Sequence, residues 1–471
     1  MDRRKFLEMS LAGALLAAGG GALQSKARRP NFVFFLADDL GWTDTGCYGS
    51  GFYETPAIDR LASQSMRFTD AYAASPVCSP TRASIMSGKY PSRINTTQYF
   101  GGFREGKLDT PDYVDHLPLE EFTLAEALKA GGYSTFFLGK WHLGHKAYWP
   151  RKQGFDVNIG GNHTGLPRGG YFSPYHNEQI EDGPFGEYLT DRLTDEALSL
   201  MESASSPFML FLSHYAVHTP LQAKWEDMKP YWKKNFFNPR WDRFDKEGKY
   251  PVRTVQDDPV YGGMISALDR SLGRVMDKLS GLGIEEDTII VFMSDNGGLS
   301  TAEGWPTANV PLRAGKGWLY EGGIREPMII KWPGVTDGGG LCSEPVISND
   351  FYPTLLSMAG LPLRPDQHCD GVDLTPLLKG EGGPKRDAVY WHYPHYSNQG
   401  GRPSAAVRSG KYKLIEFYEN ERVELYDLDS DISEEHDLSE KMPETAVRLR
   451  RMLHEWQEEQ DARMPRRRKG A

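Results

Sequence analysis

The sequence predicts an α/β fold built on a large, mostly parallel sheet. Four short apolar runs have the length and composition of buried strands: NFVFFLA (31–37), YSTFFLG (133–139), PFMLFLS (207–213) and DTIIVFMS (287–294). Segments with apolar residues at helical spacing lie between them, at 123–132 and 261–283. Strands that alternate with helices along the chain are typical of a parallel sheet with helices packed on it.

Length and composition indicate one large domain followed by a smaller one. The 471 residues exceed what one ordinary core accommodates, while 39% hydrophobic and 25% charged residues are normal for a globular protein. The segment GEGGPKRD (380–387) is typical of a boundary between domains, so we expect a large domain at 30–379 and a subdomain at 380–471. The subdomain is expected to contain a small antiparallel sheet and a terminal helix at 443–460, where apolar residues recur near helical spacing.

The first residues are typical of an export signal. Residues 1–27 combine a basic start, a modest apolar run and small residues near the end. Arg3 and Arg4 indicate the twin-arginine export machinery, and a Sec signal with a chance arginine pair is the alternative. No other run approaches the roughly 18 apolar residues of a membrane helix. We therefore expect an exported protein, periplasmic or extracellular, without stable membrane insertion.

Charge and cysteine content exclude several classes of protein. The 54 basic and 64 acidic residues give a net charge of −10, which argues against nucleic acid as a partner. Any anionic ligand must therefore meet local cations. Four scattered cysteines are too few for a disulfide framework or a zinc cluster. A bridge between Cys342 and Cys369 is left open by the sequence.

Polar residues of complementary chemistry follow all four predicted strands. They are Asp38 and Asp39, Lys140 and His142, His214 and His218, and Asp295 and Asn296. Because ligands bind beyond the carboxyl ends of parallel strands, we expect these side chains to converge at one edge of the sheet. The carboxylate and amide oxygens among them favour a hard cation such as Ca²⁺ or Mg²⁺ over zinc. The alternative is that each aspartate or asparagine only caps a helix or forms a turn.

Cys78 lies in the segment PVCSPTRASIMSGKYPSR (76–93), which reads as the start of a helix. Pro80 is suited to a first helical turn, and the helix is expected to end at Gly88. Arg82 lies one turn above Cys78, so the helix dipole and a cation together favour a negative group there. The residues alone leave two alternatives open, a reactive thiolate and a buried structural cysteine.

The motif Cys78-Ser79-Pro80-Thr81-Arg82 resembles the C-x-P-x-R signature of the type I, formylglycine-dependent sulfatases of the alkaline-phosphatase-like superfamily. Further blocks match that family in order over roughly residues 30–335: PNFVFFLADDLGW, GYSTFFLGKWHLG, FLSHYAVHTP, SDNGG and GKGWLYEGGIREP. Residues 404–431 resemble its C-terminal subdomain. The blocks are most similar to the branch of N-acetylgalactosamine-6-sulfatase and bacterial polysaccharide sulfatases. The resemblance implies a large mixed sheet, mostly parallel, sandwiched by helices, with a smaller C-terminal α+β subdomain.

The resemblance implies a modified residue and a metal. Cys78 would be converted by a formylglycine-generating maturation enzyme to 3-oxoalanine, an aldehyde that hydrates to a geminal diol. One Ca²⁺ would be held by the hydrated residue 78 together with Asp38, Asp39, Asp295 and Asn296. An oxygen of the diol would attack sulfur and displace the alcohol, giving a covalent sulfo-enzyme.

Roles for the cations and histidines follow from the same resemblance. Arg82 and Lys140 would hold sulfate oxygens and the diol. His218 and Lys316 would lie near the leaving oxygen, and one of them would donate its proton. His142 would contact residue 78 and help to remove the proton of the second hydroxyl, so that the aldehyde re-forms and sulfate leaves.

The predicted function is hydrolysis of sulfate monoesters, with a sulfated polysaccharide or oligosaccharide as substrate. His214, His392 and His395 are candidate substrate-binding residues, the last two from the aromatic segment WHYPHYSNQGGRP (391–403). A phosphate ester hydrolase of the same superfamily is the alternative. The resemblance implies that such enzymes have two-zinc sites with more histidine ligands, whereas this sequence shows one oxygen-rich site and a cysteine. A non-catalytic glycan-binding protein is a third hypothesis, but no family position that can be matched is lost.

Overall fold

The computed structural model describes residues 29–205, 207–237 and 242–468. The export signal predicted at 1–27 lies outside the described residues. None of the helices in this described part of the chain is long and apolar enough to cross a membrane.

Strands and helices are numbered in chain order. The strands are β1 (Asn31–Ala37), β2 (Met66–Phe68), β3 (Ala71–Tyr72), β4 (Leu108–Asp109), β5 (Ser134–Gly139), β6 (Val157–Ile159), β7 (Phe208–Ser213), β8 (Phe244–Glu247), β9 (Tyr250–Arg253), β10 (Thr288–Ser294), β11 (Met328–Lys331), β12 (Leu341–Cys342), β13 (Val346–Ile347), β14 (Val389–Tyr393), β15 (Ser404–Ser409), β16 (Tyr412–Phe417), β17 (Arg422–Asp427) and β18 (Arg466–Arg467). The helices are α1 (Pro56–Ser63), α2 (Cys78–Ser87), α3 (Leu124–Ala130), α4 (Leu189–Ser203), α5 (Trp225–Phe237), α6 (Pro259–Gly281), α7 (Glu321–Ile324), α8 (Phe351–Met358), α9 (Thr375–Leu378) and α10 (Pro443–Glu459).

The main sheet confirms the predicted α/β fold. Within the described residues it has eight strands in the order β12-β2-β11-β10-β1-β7-β5-β6. The central strands β10, β1, β7, β5 and β6 are mutually parallel, and they include all four strands predicted from sequence. Strand β11 runs antiparallel to both of its neighbours, which makes the sheet mixed.

Helices cover both faces of this sheet, and β1 shows why its sequence is apolar throughout. Alternate side chains of a strand point to opposite faces. Val33 and Phe35 join a core with α1, α4 and α6, whereas Phe32 and Phe34 join a second core with α2, α3, α8 and α9. A strand that is buried on both faces needs apolar residues at every position.

The C-terminal part of the chain forms a separate antiparallel sheet, β14-β15-β16-β17, against which α10 packs. Its core is continuous with residues of the larger unit, among them Tyr72 and Trp318. The indole of Trp391 donates a hydrogen bond to the carbonyl of Ala73 at 2.8 Å. The predicted subdomain architecture is therefore present, while the boundary at residue 380, between α9 and β14, stays a prediction.

Candidate active site

The carboxyl ends of β1, β5, β7 and β10 bring the predicted residues together. Because these strands are adjacent and parallel, the loops that follow them meet at one edge. The loops after β1 and β7 are joined by two backbone hydrogen bonds, Asp38 N to Ala216 O at 3.0 Å and Val217 N to Asp38 O at 2.7 Å. The sheet therefore fixes the backbone from which the site projects.

A cluster of three carboxylates lies at this edge. An oxygen of each of Asp38, Asp39 and Asp295 lies within 4.8 Å of the others, and all three side chains are buried. The amide nitrogen of Asn296 donates to Asp39 Oδ1 at 2.7 Å, while Asn296 Oδ1 is buried without a hydrogen-bond partner among the described residues. Three carboxylates and an orphaned amide oxygen are the donor set of a hard divalent cation. The residues present fit Ca²⁺ or Mg²⁺.

Each carboxylate of the cluster is paired with a cation. Lys140 Nζ lies 2.7 Å from Asp38 Oδ2, and Lys316 Nζ lies 2.7 Å from Asp39 Oδ1. The third carboxylate, on Asp295, accepts from Arg82 Nε at 2.8 Å. All three cations are buried. The edge of the sheet thus combines oxygens suited to a metal ion with the positive charge that an anionic ligand requires.

The paired charges shift the pKa values in different directions. Burial raises the pKa of Asp38 well above its usual value, although Lys140 opposes this. Burial acts in the same direction on Asp39, but Lys316 and His218 outweigh it and hold the pKa of Asp39 below its usual range. Burial disfavours the charge of Lys316, and the attraction of Asp39 more than offsets it, so the pKa of Lys316 lies well above normal. Asp39 and Lys316 therefore form a stable ion pair at neutral pH.

Cys78 is the first residue of α2, and Pro80 lies in its first turn, as the sequence predicts. Cys78 Sγ lies 3.3 Å from His142 Nδ1, and the residue is 3% exposed. Burial raises the pKa of the Cys78 thiol, and burial together with Lys140 lowers the pKa of His142 well below its usual value. A thiol of raised pKa beside a neutral histidine is not a ready thiolate. The burial of Cys78 therefore argues against the thiolate alternative for the unmodified residue.

Arg82 is tied to three strand ends. Besides its contact with Asp295, Nη1 donates to Lys140 O at 2.7 Å and to Ser213 Oγ at 2.6 Å. These contacts fix the guanidinium beneath the site, so Arg82 positions the ends of β5, β7 and β10 in addition to supplying charge. Ser213, the last residue of β7, was not a sequence candidate.

His218 lies beside the acidic cluster. Its Nε2 is 3.5 Å from Asp39 Oδ2, and its Nδ1 lies 2.8 Å from Thr219 O, which orients the ring. Burial, reinforced by Lys316, lowers the pKa of His218 to about 3. His218 and Lys316 thus lie next to the same carboxylate, that of Asp39.

The three candidate substrate-binding histidines are not brought into this cluster. His214 is fully buried against Phe35, with Nε2 2.9 Å from Ser271 Oγ on α6. Both ring nitrogens of His392 have partners within the C-terminal unit, Tyr418 Oη at 2.7 Å and Arg463 O at 3.1 Å.

His395 differs from the other two because it lines a cavity. Its Nε2 lies 2.8 Å from Thr97 Oγ1, and it faces a cavity of about 290 Å³ together with Gln98 and Tyr113. Cys342 and Cys369, for which the sequence leaves a disulfide open, are both free thiols.

Sequence reasoning also missed Glu303, which lies in the loop between β10 and α7. One of its carboxylate oxygens lies within 4.8 Å of a carboxylate oxygen of Asp39 and a ring nitrogen of His218. The surrounding segment has no periodicity and follows no strand directly, so no local signal marks the residue.

Comparison with known protein families gives two matches. A model described as sulfatase matches residues 30–361, and a model described as the C-terminal region of N-sulphoglucosamine sulphohydrolase matches residues 314–461. The two matches together cover the main sheet, the site and the antiparallel C-terminal sheet.

Individual relatives agree with this match. A sulfatase of Formosa agariphila is 30% identical, with 97% of this chain and 94% of the relative covered. Arylsulfatase A of Homo sapiens is 34% identical, with 85% and 76% covered. N-acetylgalactosamine-6-sulfatase of Canis lupus familiaris is 32% identical, with 85% and 74% covered.

Solved structures show the same fold. The crystal structure of Ps i-CgsB has a TM-score of 0.75 and 31% identity, covering 91% of this chain and 93% of that one. The phosphonate monoester hydrolase of Agrobacterium radiobacter, at 21% identity and a TM-score of 0.63, shares the fold alone. The phosphate ester alternative is therefore less well supported. The family match over the whole main sheet, joined to the cysteine, cation and carboxylate arrangement at its edge, shows that this chain belongs to the sulfatase family of sulfuric ester hydrolases.

Proposed function

We propose that this enzyme hydrolyses sulfate monoesters of a carbohydrate, a polysaccharide or oligosaccharide, using formylglycine derived from Cys78 and one Ca²⁺. The observation that carries the proposal is the position of Cys78, buried at the start of α2 and in contact with His142 beside three carboxylates and their cations. Asp38, Asp39, Asp295 and Asn296 would hold the metal together with the modified residue 78.

The carbohydrate substrate is proposed from the relatives. Ps i-CgsB has also been solved in complex with k-i-k-neocarrahexaose, and several relatives are N-acetylgalactosamine-6-sulfatases. Steryl-sulfatase of Homo sapiens is 31% identical over 78% of this chain, so identity alone does not select the sugar esters. The carbohydrate proposal is favoured because Ps i-CgsB and N-acetylgalactosamine-6-sulfatase match over 91% and 85% of this chain, against 78% for steryl-sulfatase.

The metal ion and the modified residue 78, neither of which is encoded directly by the sequence, would have different chemical roles. Bound Ca²⁺ would supply positive charge for the developing negative charge, and hydrated formylglycine would supply a nucleophilic hydroxyl and a second one for product release. The encoded side chains do the rest. Lys140 and Lys316, which pair with Asp38 and Asp39, can bind anionic oxygens of the substrate. His142, neutral and 3.3 Å from the side chain at position 78, can accept a proton from the group there. Lys316 stays protonated beside Asp39 and can hold a proton for the leaving oxygen, next to neutral His218.

Mass spectrometry of the tryptic peptide FTDAYAASPVCSPTR, residues 68–82, tests this proposal. The protein is produced together with a formylglycine-generating enzyme and assayed on sulfated oligosaccharides. We expect an aldehyde or its hydrate at position 78 and a turnover that scales with the modified fraction. An intact thiol in protein that hydrolyses sulfate esters at full rate would contradict the proposed chemistry.

We also propose that the enzyme is exported by the twin-arginine route, as the pair Arg3-Arg4 indicates. A reporter fused to residues 1–30 is expected to reach the periplasm in normal cells and to stay inside cells that lack the twin-arginine translocase. Replacing both arginines with lysine is expected to block export, because this route reads the arginine pair itself. Export that persists without the translocase and stops when Sec is inhibited would overturn the assignment.

A further inference from the structure

The loop between β10 and α7 presents a carboxylate to the reaction site. Glu303 is partly buried, and its carboxylate lies within 4.8 Å of both Asp39 and His218. Its backbone adopts a left-handed conformation, with φ of 54°. Since residues other than glycine avoid this region, the conformation indicates that surrounding contacts hold the residue in place.

Those contacts come from the C-terminal unit. Asn398 Nδ2 and Gln399 Nε2 each donate to Glu303 Oε1 at 2.5 Å, from the loop between β14 and β15. That loop is in turn held by Trp318, whose indole donates to Gln399 O at 2.9 Å. The chain thus uses two amides from a separate sheet to orient one carboxylate.

The second carboxylate oxygen of Glu303 remains available. Oε2 has no hydrogen bond within the part of the chain that the structure describes, whereas Oε1 has two. Glu303 therefore connects the acidic cluster, through Asp39 and His218, to the loop between β14 and β15.

A carboxylate in this position opposes the binding of a bare sulfate, since like charges repel more strongly where water is excluded. The presence of the Glu303 carboxylate at the rim of an anion-binding site is best explained by a hydrogen-bond donor on the substrate. The sugar ring that carries the ester would present its hydroxyl or amino groups next to the sulfate, where Glu303 could accept a hydrogen bond from them. A site that hydrogen-bonds such a group discriminates strongly against analogues that lack it.

We propose that Glu303 is a specificity-determining residue, which accepts a hydrogen bond from a hydroxyl or amino group beside the sulfate ester and disfavours a second anion there. The inference rests on the proposed function and narrows it. The substrate sugar carries a neutral or cationic hydrogen-bond donor next to the hydrolysed sulfate. A sulfate or carboxylate in that neighbouring position must be removed before this enzyme acts. Asn398 and Gln399 are positioning residues that act through Glu303.

The test compares matured wild type with Glu303→Gln on singly and doubly sulfated forms of the same sugar. The probes are 4-nitrophenyl glycosides of N-acetylgalactosamine 6-sulfate against the 4,6-disulfate, and of galactose 4-sulfate against the 4,6-disulfate. Glutamine keeps a carbonyl oxygen for both amides but removes the charge. We expect kcat/KM on the monosulfate to fall about 10-fold, mainly through KM, and the preference over the disulfate to fall by more than that.

The matched control is Glu421→Gln. Glu421 is also a glutamate with positive φ, 57°, and it lies on the exposed turn between β16 and β17, 3.6 Å from Arg467. It is expected to leave both kinetic constants unchanged. Gln399→Ala is expected to shift the mono- to disulfate preference in the same direction as Glu303→Gln, by a smaller factor.

The outcomes separate this inference from the proposed function. If wild type with an aldehyde at position 78 hydrolyses none of the sugar sulfates, the proposed carbohydrate function fails. If wild type is active on the monosulfates but Glu303→Gln lowers both members of a pair equally, or lowers kcat alone, Glu303 has only a structural role and this inference is overturned.

Discussion

Replacing Cys78 with serine is expected to lower kcat for sulfate ester hydrolysis by on the order of 10⁴-fold or more, the scale seen when an enzyme loses its covalent nucleophile. Serine is nearly isosteric with cysteine and fits the buried first turn of α2, so the fold should persist. A maturation enzyme that oxidises cysteine to formylglycine is expected to leave serine unmodified. Serine therefore lacks the second hydroxyl through which sulfate is released.

The matched control for this variant is Cys342→Ser. Cys342 is also a buried free thiol, 7% exposed, but it lies on the edge strand β12. It is expected to keep wild-type kcat with a small loss of stability. Circular dichroism and thermal unfolding check both variants, and kcat is measured on the best sulfated oligosaccharide. Activity of Cys78→Ser above about a tenth of wild type would remove position 78 from the mechanism.

Replacing Asp295 with asparagine is expected to produce the second largest effect. The substitution removes one carboxylate from the proposed metal site. We expect Ca²⁺ affinity and kcat/KM each to fall at least about 100-fold. This loss exceeds the usual effect of changing a residue that only hydrogen-bonds to a metal ligand. The substitution also removes the nearer charged partner of Arg82, at 2.8 Å, and leaves it with Asp38 at 3.7 Å. Breaking a buried ion pair costs roughly 3–5 kcal/mol of unfolding free energy, and the retained asparagine oxygen places the loss near the lower end.

Asp350→Asn separates the loss of stability from the loss of metal binding. Asp350 is likewise fully buried and pairs with a partly buried cation, Arg386, at 2.6 Å. This control is expected to lower the unfolding free energy by a similar amount and to leave Ca²⁺ binding intact. Calorimetric titration with Ca²⁺ and urea unfolding measure the two quantities. Wild-type Ca²⁺ affinity in Asp295→Asn would show that the acidic cluster is not the metal site.

Chemistry and local structure are largely determined by the sequence. The four central strands were predictable because burial on both faces requires continuous apolar runs, and parallel order follows from the helices between them. The convergence of Asp38, Asp39, Asp295 and Asn296 follows from the same reasoning, because the carboxyl ends of adjacent parallel strands lie at one edge of a sheet.

The tertiary structure decided which side chains come into contact at the site. His214 and His218 follow the same strand four residues apart, yet the first is buried against α6 and the second lies beside Asp39. Residue type does not distinguish them, since the path of the backbone after β7 decides which ring reaches the site.

Glu303 and Gln399 make the same point over a longer range. They are 96 residues apart and come from different sheets, and neither has a periodic neighbourhood. The sequence by itself determined the strands, the cysteine motif and the oxygen-bearing residues at the strand ends, because strand burial and short motifs are local properties. The pairing of lysines with aspartates, the anchoring of Arg82 and the carboxylate at the rim required the tertiary structure, because contacts between distant loops depend on how the whole chain packs.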